Sequence, residues 1–182
     1  MLLSPQNAKR FMATYERVAI AVHAIAALDP PDNTTASLVN ARERLQDTPE
    51  LLDEAVEFLR RQGTWTDPEV VEALRQMQLE DYVHVKDLKS GAIFLSVDGS
   101  EAYSTIGLTQ APGAIIGARG HVVKTALCPF AGKILCDGVF ITRAALGPSV
   151  WSDFHKRYLS LKAAGCLHDE PSTVPEWQQP FG

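Results

Sequence analysis

At Tyr82 the spacing of apolar residues changes from three-and-four to two, and that change divides the chain into a helical half and a β half. Before it, helix starts are written three times with a proline in the first turn: Ser4-Pro5, Thr48-Pro49 and Asp67-Pro68. A side-chain oxygen there caps free backbone N–H groups, and the proline ring pre-sets the helical angle. From the first start, Ala8, Phe11, Met12, Tyr15, Val18, Ala19, Val22 and Ile25 form one apolar stripe that ends before Asp29-Pro30-Pro31. A second helix is expected over Thr35 to Gln46, with Leu38, Ala41 and Leu45 on one side. A third carries Leu51, Leu52, Ala55, Val56 and Leu59 and closes at Gly63. A fourth carries Val70, Val71, Leu74 and Met77.

After Tyr82 the pattern alternates. YVHVK and AIFLSV flank a turn at 89–91, and Asp98-Gly99-Ser100 turns into AYSTIGL. A glycine-rich connection over 109–120 leads to HVVKTALC and KILCDGVFI, which makes five strands. Gly147-Pro148-Ser149 opens a last helix with Trp151, Phe154, Tyr158 and Leu161 on one face, closed by Gly165. The tail from His168 is polar and proline-rich, so irregular surface chain is expected there. The expected fold is α+β. Residues 1–80 form a helical part of about four helices. Residues 81–182 form a small five-stranded antiparallel sheet or barrel, then a closing helix and an irregular tail.

Charge narrows the function classes. The net charge of −5 comes entirely from residues 1–80, and the β half is balanced. An acidic chain argues against non-specific nucleic-acid binding, which works by neutralising phosphates. No run approaches the roughly eighteen apolar residues of a membrane span, and MLLSPQNAKR lacks the apolar core of a secretion signal. Three cysteines, an odd number, suit a reducing compartment, so a cytoplasmic location is expected.

The stretch 127–138, LCPFAGKILCDG, poses the sharpest chemical question. With Ala131-Gly132-Lys133 as a three-residue loop, Phe130 would pair with Ile134 and Cys128 would face Cys136. Structural zinc sites favour ligands two to four residues apart, so no metal is expected from this spacing. The glycines of GAIIGARG, at 113, 117 and 120, match no phosphate-binding fingerprint. No Gly-x-Ser-x-Gly elbow and no helical His pair is present, so no catalytic residue and no cofactor is assigned. One asymmetry remains: between 119 and 157 six Lys and Arg stand against Asp137 and Asp153. Arg119, His121, Lys133, Asp137 and Arg143 are therefore the candidate contact surface. The competing reading is scattered cations that guard strand edges against aggregation.

GLTQAPGAIIG at 107–117 followed by VVKTALCPFAGKILCDGVF at 122–140 resembles a pattern in uncharacterised bacterial proteins. There, a loop after Gly-Leu-Thr precedes a Leu-x-Pro-Phe-x-Gly-x-Ile-x-x-Asp-Gly hairpin, matched here by Leu127, Pro129, Phe130, Gly132, Ile134, Asp137 and Gly138. An aromatic residue is common before that Asp-Gly, where this chain has Cys136. The resemblance implies a recurring structural unit and no activity. The leading functional reading is a non-enzymatic binding or regulatory module that meets a protein partner, or another copy of itself, through its β half. An enzyme with a pocket between the halves stands second, and a nucleic-acid-binding barrel third.

Overall fold

The computed structural model describes residues 2–29, 31–89, 91–117 and 119–178. They form two compact units, one spanning Ser4–Leu79 and the other running from Glu80 onward together with the N-terminal residues up to Leu3.

The first unit is four helices: α1 (Pro5–Ile25), α2 (Thr34–Asp47), α3 (Leu51–Arg61) and α4 (Pro68–Arg75). The expected capping operates at α1, where the Ser4 hydroxyl accepts from the Asn7 N–H at 3.2 Å. At α4, Asp67 accepts from the backbone N–H of Glu69 at 3.0 Å. The other Asp67 oxygen takes the Arg10 guanidinium at 2.7 Å, and this ion pair pulls the carboxyl below the usual range. α1 packs against each of the other three helices, burying Phe11, Tyr15, Val18 and Val22. Asn33, not Thr35, sets the start of α2, because its side chain caps the Ala36 N–H at 2.9 Å.

The second unit is a closed, mixed five-strand barrel. Its strands are β1 (Gln78–Asp87, its first two residues assigned to the helical unit), β2 (Gly91–Ser96), β3 (Ala102–Gly107), β4 (His121–Phe130) and β5 (Lys133–Cys136). The order is β1-β2-β3-β5-β4, and a β1–β4 pairing closes the ring. The alternating pattern therefore begins at Gln78, four residues before Tyr82. The β3–β5 seam is parallel, with Ile106 opposite Leu135 and Gly107 opposite Cys136. It arises because the 108–120 connection, which carries the short helix α5 (Pro112–Ile116), brings β4 in beyond the place that β5 fills. Alternation gives the barrel two faces. Tyr82, Ala92, Phe94, Tyr103, Val123, Leu127, Ile134 and Cys136, drawn from all five strands, fill the interior. Val83, Val85, Ile93, Leu95 and Ala102 point outward under Tyr158, Phe154 and Leu161 of α6 (Pro148–Ala163).

The 127–138 hairpin has a different register from the expected one. Phe130 pairs with Lys133, so the turn is two residues, Ala131 and Gly132, and Cys128 faces Leu135 while Cys136 faces Leu127. Both turn residues have positive φ, 51° and 69°, as a tight hairpin of this twist demands. Alanine hid the turn, because it is a poor left-handed residue. Ala131→Asn should accordingly raise stability by about 0.5 kcal/mol. An unchanged urea midpoint would mean that the turn stores no such strain. Among the described residues, neither the two buried cysteines nor the exposed Cys166 is in a disulfide.

Past Cys136 the chain re-aims at Asp137-Gly138 and continues as β6 (Ile141–Ala145), which pairs with the first half of β4. The tail is also more ordered than its composition suggests. β7 (Leu167–His168) pairs with β3, and 3-10 turns follow at Pro171–Thr173 and Pro175–Trp177. Val174 is fully buried in the barrel cluster and Trp177 packs against it. Two apolar residues in a polar segment are enough to seat it. No described helix is long and apolar enough to cross a membrane.

Candidate functional site

The five residues of the expected contact surface do not share one setting. Arg119 lies 3.8 Å from Asp87, Lys133 3.7 Å from Glu170 and Arg143 3.2 Å from Asp81. Each of these cations thus has its own carboxylate, which mutes any joint positive field. His121 is half-buried on β4 opposite Ala145. Asp137 is 3% exposed and serves the fold: its Oδ1 accepts from the Thr125 hydroxyl and the Val139 N–H, both at 3.1 Å. Among the histidines, His84 is fully buried beside Phe94, with Nε2 3.1 Å from Asp87 Oδ1. That carboxylate fills the space where a Cβ on Gly113 would stand, and the Gly120 N–H donates to the His84 carbonyl at 2.8 Å, which holds the glycine-rich connection to β1. Among the described residues, no group of three or more His, Cys, Asp or Glu is placed to hold a metal.

A different set of residues converges at the barrel rim. Glu80 and Tyr82 are two apart on β1 and so share a face, and Glu101, just before β3, stands two residues ahead of Tyr103. β2 lies between, with Tyr82 opposite Ser96 and Phe94 opposite Tyr103. The two tyrosine rings meet edge-on at 5.8 Å. The Tyr103 hydroxyl donates to Glu101, and the His168 ring lies 5.3 Å from the Tyr103 ring. Glu176 enters from the last 3-10 turn, beside Trp177. In the β2–β3 turn, Asp98 accepts from the hydroxyls of Ser96 and Ser100 at 2.6 and 2.8 Å.

The electrostatics are one-sided. Glu80 is an exposed residue, but partial desolvation of its carboxyl raises it above the ordinary range, and Glu101, Glu176 and Asp98 push it further up. Asp98, held by the two hydroxyls and the Ser100 N–H, is drawn down to about 2 and stays charged. Burial, then the bond to Glu101, raises Tyr103; burial, then Glu80, raises Tyr82. Both phenols therefore keep their protons. Among the described residues, none of Glu80, Glu101 and Glu176 pairs with a lysine or arginine, and the nearest cationic candidate, His168 Nε2, is 4.0 Å from Glu101. The Tyr82 hydroxyl is buried and has no hydrogen-bond partner among the described residues.

Sequence reading missed this rim, although it left a trace. Glu-Asp-Tyr at 80–82 and Glu-Ala-Tyr at 101–103 place the same acid and the same aromatic two apart where strands enter the barrel. Comparison with protein-family models, with curated proteins and with solved structures yields no match.

Proposed function

We propose that this chain is a non-enzymatic binding module that engages a positively charged segment of a partner protein at the barrel rim. One observation carries the reading: Glu101 accepts from the Tyr103 hydroxyl, Glu176 and Glu80 act on the same phenol electrostatically, and no lysine or arginine of the described chain pairs with any of the three. Uncompensated like charges raise one another's energy, and an incoming cation relieves that cost. The two phenols, kept protonated, suit hydrogen bonding rather than base chemistry. A lysine-rich decapeptide titrated into labelled protein should shift the amide signals of 80–82, 101–103 and 176–177, and weaken as salt rises. An alanine-serine decapeptide should not. Equal shifts from both peptides, or none from either, would end this reading.

The same charges predict a trade between stability and binding. A raised carboxyl pKa means that the folded state holds its proton longer than the unfolded chain. Stability from Glu80 is present below the unfolded value and is lost as pH rises through the raised folded value. Above that window the Glu80 charge works against the fold. Glu80→Gln should therefore stabilise the protein at pH 7 by about 0.3 kcal/mol, small because the site is partly screened. It should also weaken the lysine-rich peptide. A pH series of urea midpoints for both forms should converge in acid. Loss of stability at pH 7 would show that Glu80 has a structural role.

A further inference from the structure

Resting on that reading, we propose that the rim takes one primary alkylammonium group, the side chain of a single lysine on the partner. The decisive atom is the Tyr82 hydroxyl oxygen. It belongs to a residue 1% exposed, and among the described residues no group donates to it or accepts from it. An orphaned buried hydroxyl is costly, and a ligand bearing N–H groups removes that cost. Tyr82 stands next but one to Glu80 on the same strand face, and Glu80 is the carboxylate that acts on its hydroxyl.

The acceptors favour an ammonium over other cations. They arrive on three separate elements: Glu80 with Tyr82 on β1, Glu101 on the β2–β3 connection and Glu176 on the final 3-10 turn. An ammonium has three donors that diverge, which matches acceptors placed around it. A guanidinium is a planar fork best met by two oxygens of one carboxylate. Glu101 is poorly placed for that role, since one oxygen already takes the Tyr103 hydroxyl and the other faces His168. A trimethylammonium has no N–H and would leave the Tyr82 oxygen unanswered. The walls are aromatic: Tyr82 and Tyr103 edge-on, His168 over Tyr103, and Trp177 packed on the same cluster. Such faces attract a cation and cover the methylenes of a lysine stem.

Three probes test the idea by chemical-shift titration of the full chain: the N-acetyl methylamides of lysine, arginine and trimethyllysine. The lysine derivative should bind at the rim, with the arginine and trimethyl derivatives each about tenfold weaker. Tyr82→Phe should weaken the lysine derivative several-fold and leave the trimethyl derivative unchanged. Glu176→Gln, on an exposed turn, is the companion variant should Tyr82→Phe fold poorly, and it should also weaken the lysine derivative. Equal binding of all three probes, or a lysine affinity indifferent to Tyr82→Phe and Glu176→Gln, would overturn the lysine assignment. If the lysine-rich decapeptide still bound in a salt-sensitive way, the broader reading would survive that result. If decapeptide and small probes all left the rim unmoved, both would fall.

Discussion

Asp137→Ala should cost about 3 kcal/mol of stability, enough to unfold the β unit in mild denaturant. Asp137 stands where β4 changes partner. Leu127 to Phe130 pair with β5, His121 to Lys124 pair with β6, and Thr125 and Ala126 lie between the two ladders. One carboxylate oxygen serves that gap, accepting from the Thr125 hydroxyl at 3.1 Å, the Val139 N–H at 3.1 Å and, at longer range, the Ala126 N–H at 3.4 Å. The Asp137 N–H donates to the Ala126 carbonyl at 3.0 Å, so the backbone there keeps one ladder bond. Alanine would strand several buried donors, each at a cost of about 1–3 kcal/mol. Asp137→Asn keeps a side-chain carbonyl and should lose about 1 kcal/mol. Urea unfolding followed by tryptophan fluorescence in a Trp65→Phe background isolates the β unit, where Trp151 and Trp177 lie. An alanine variant within about 1 kcal/mol of the parent would mean that the backbone alone sets this corner.

What could be read in the sequence was whatever is written locally. The capping oxygens and prolines of α1 and α4 act within four residues, and so does the change of period near Tyr82. The expected single strand KILCDGVFI parts into β5 and β6 around Asp137-Gly138, where Gly138 has φ 79°. The parallel seam was not legible, since Ile106 and Leu135 meet only once the whole 108–120 connection has taken its path. The two-residue turn escaped because Ala131 accepts a left-handed angle that its type disfavours. The rim escaped for a related reason. Read singly, Glu80, Glu101 and Glu176 are solvated charges. Only barrel closure and the seating of Val174 bring together the strands and the turn that carry them. The basic run, by contrast, looked joint in sequence and is parcelled out in space, because Asp81, Asp87 and Glu170 each lie near one of its cations.

Gly107→Ala should destabilise the β unit by about 3 kcal/mol, well beyond Gly132→Ala, and the contrast separates two reasons for needing glycine. A Cβ on Gly107 would stand 1.8 Å from the Gln110 carbonyl oxygen and 2.9 Å from its carbon. Both are backbone atoms, so no side-chain rotation relieves the overlap. Gly107 cannot retreat either, because it pairs with Cys136 in the parallel seam and its carbonyl accepts from the Leu3 N–H at 3.2 Å. Gly132 has open space around its Cα, and only its φ of 69° resists a side chain, which costs about 1–2 kcal/mol. Displacing Gly107 has a second consequence. β3 carries Tyr103, with Glu101 immediately before it, and the strand is tied to β2 along its length. A shift of β3 along its axis would carry that pair away from Tyr82. Gly107→Ala should therefore weaken the lysine derivative as well as the fold, whereas Gly132→Ala should lower stability alone. Equal losses of stability in the two variants would show that the 107–110 loop relaxes around a methyl group. Unchanged lysine affinity in a destabilised Gly107→Ala would show that the rim does not depend on the setting of β3.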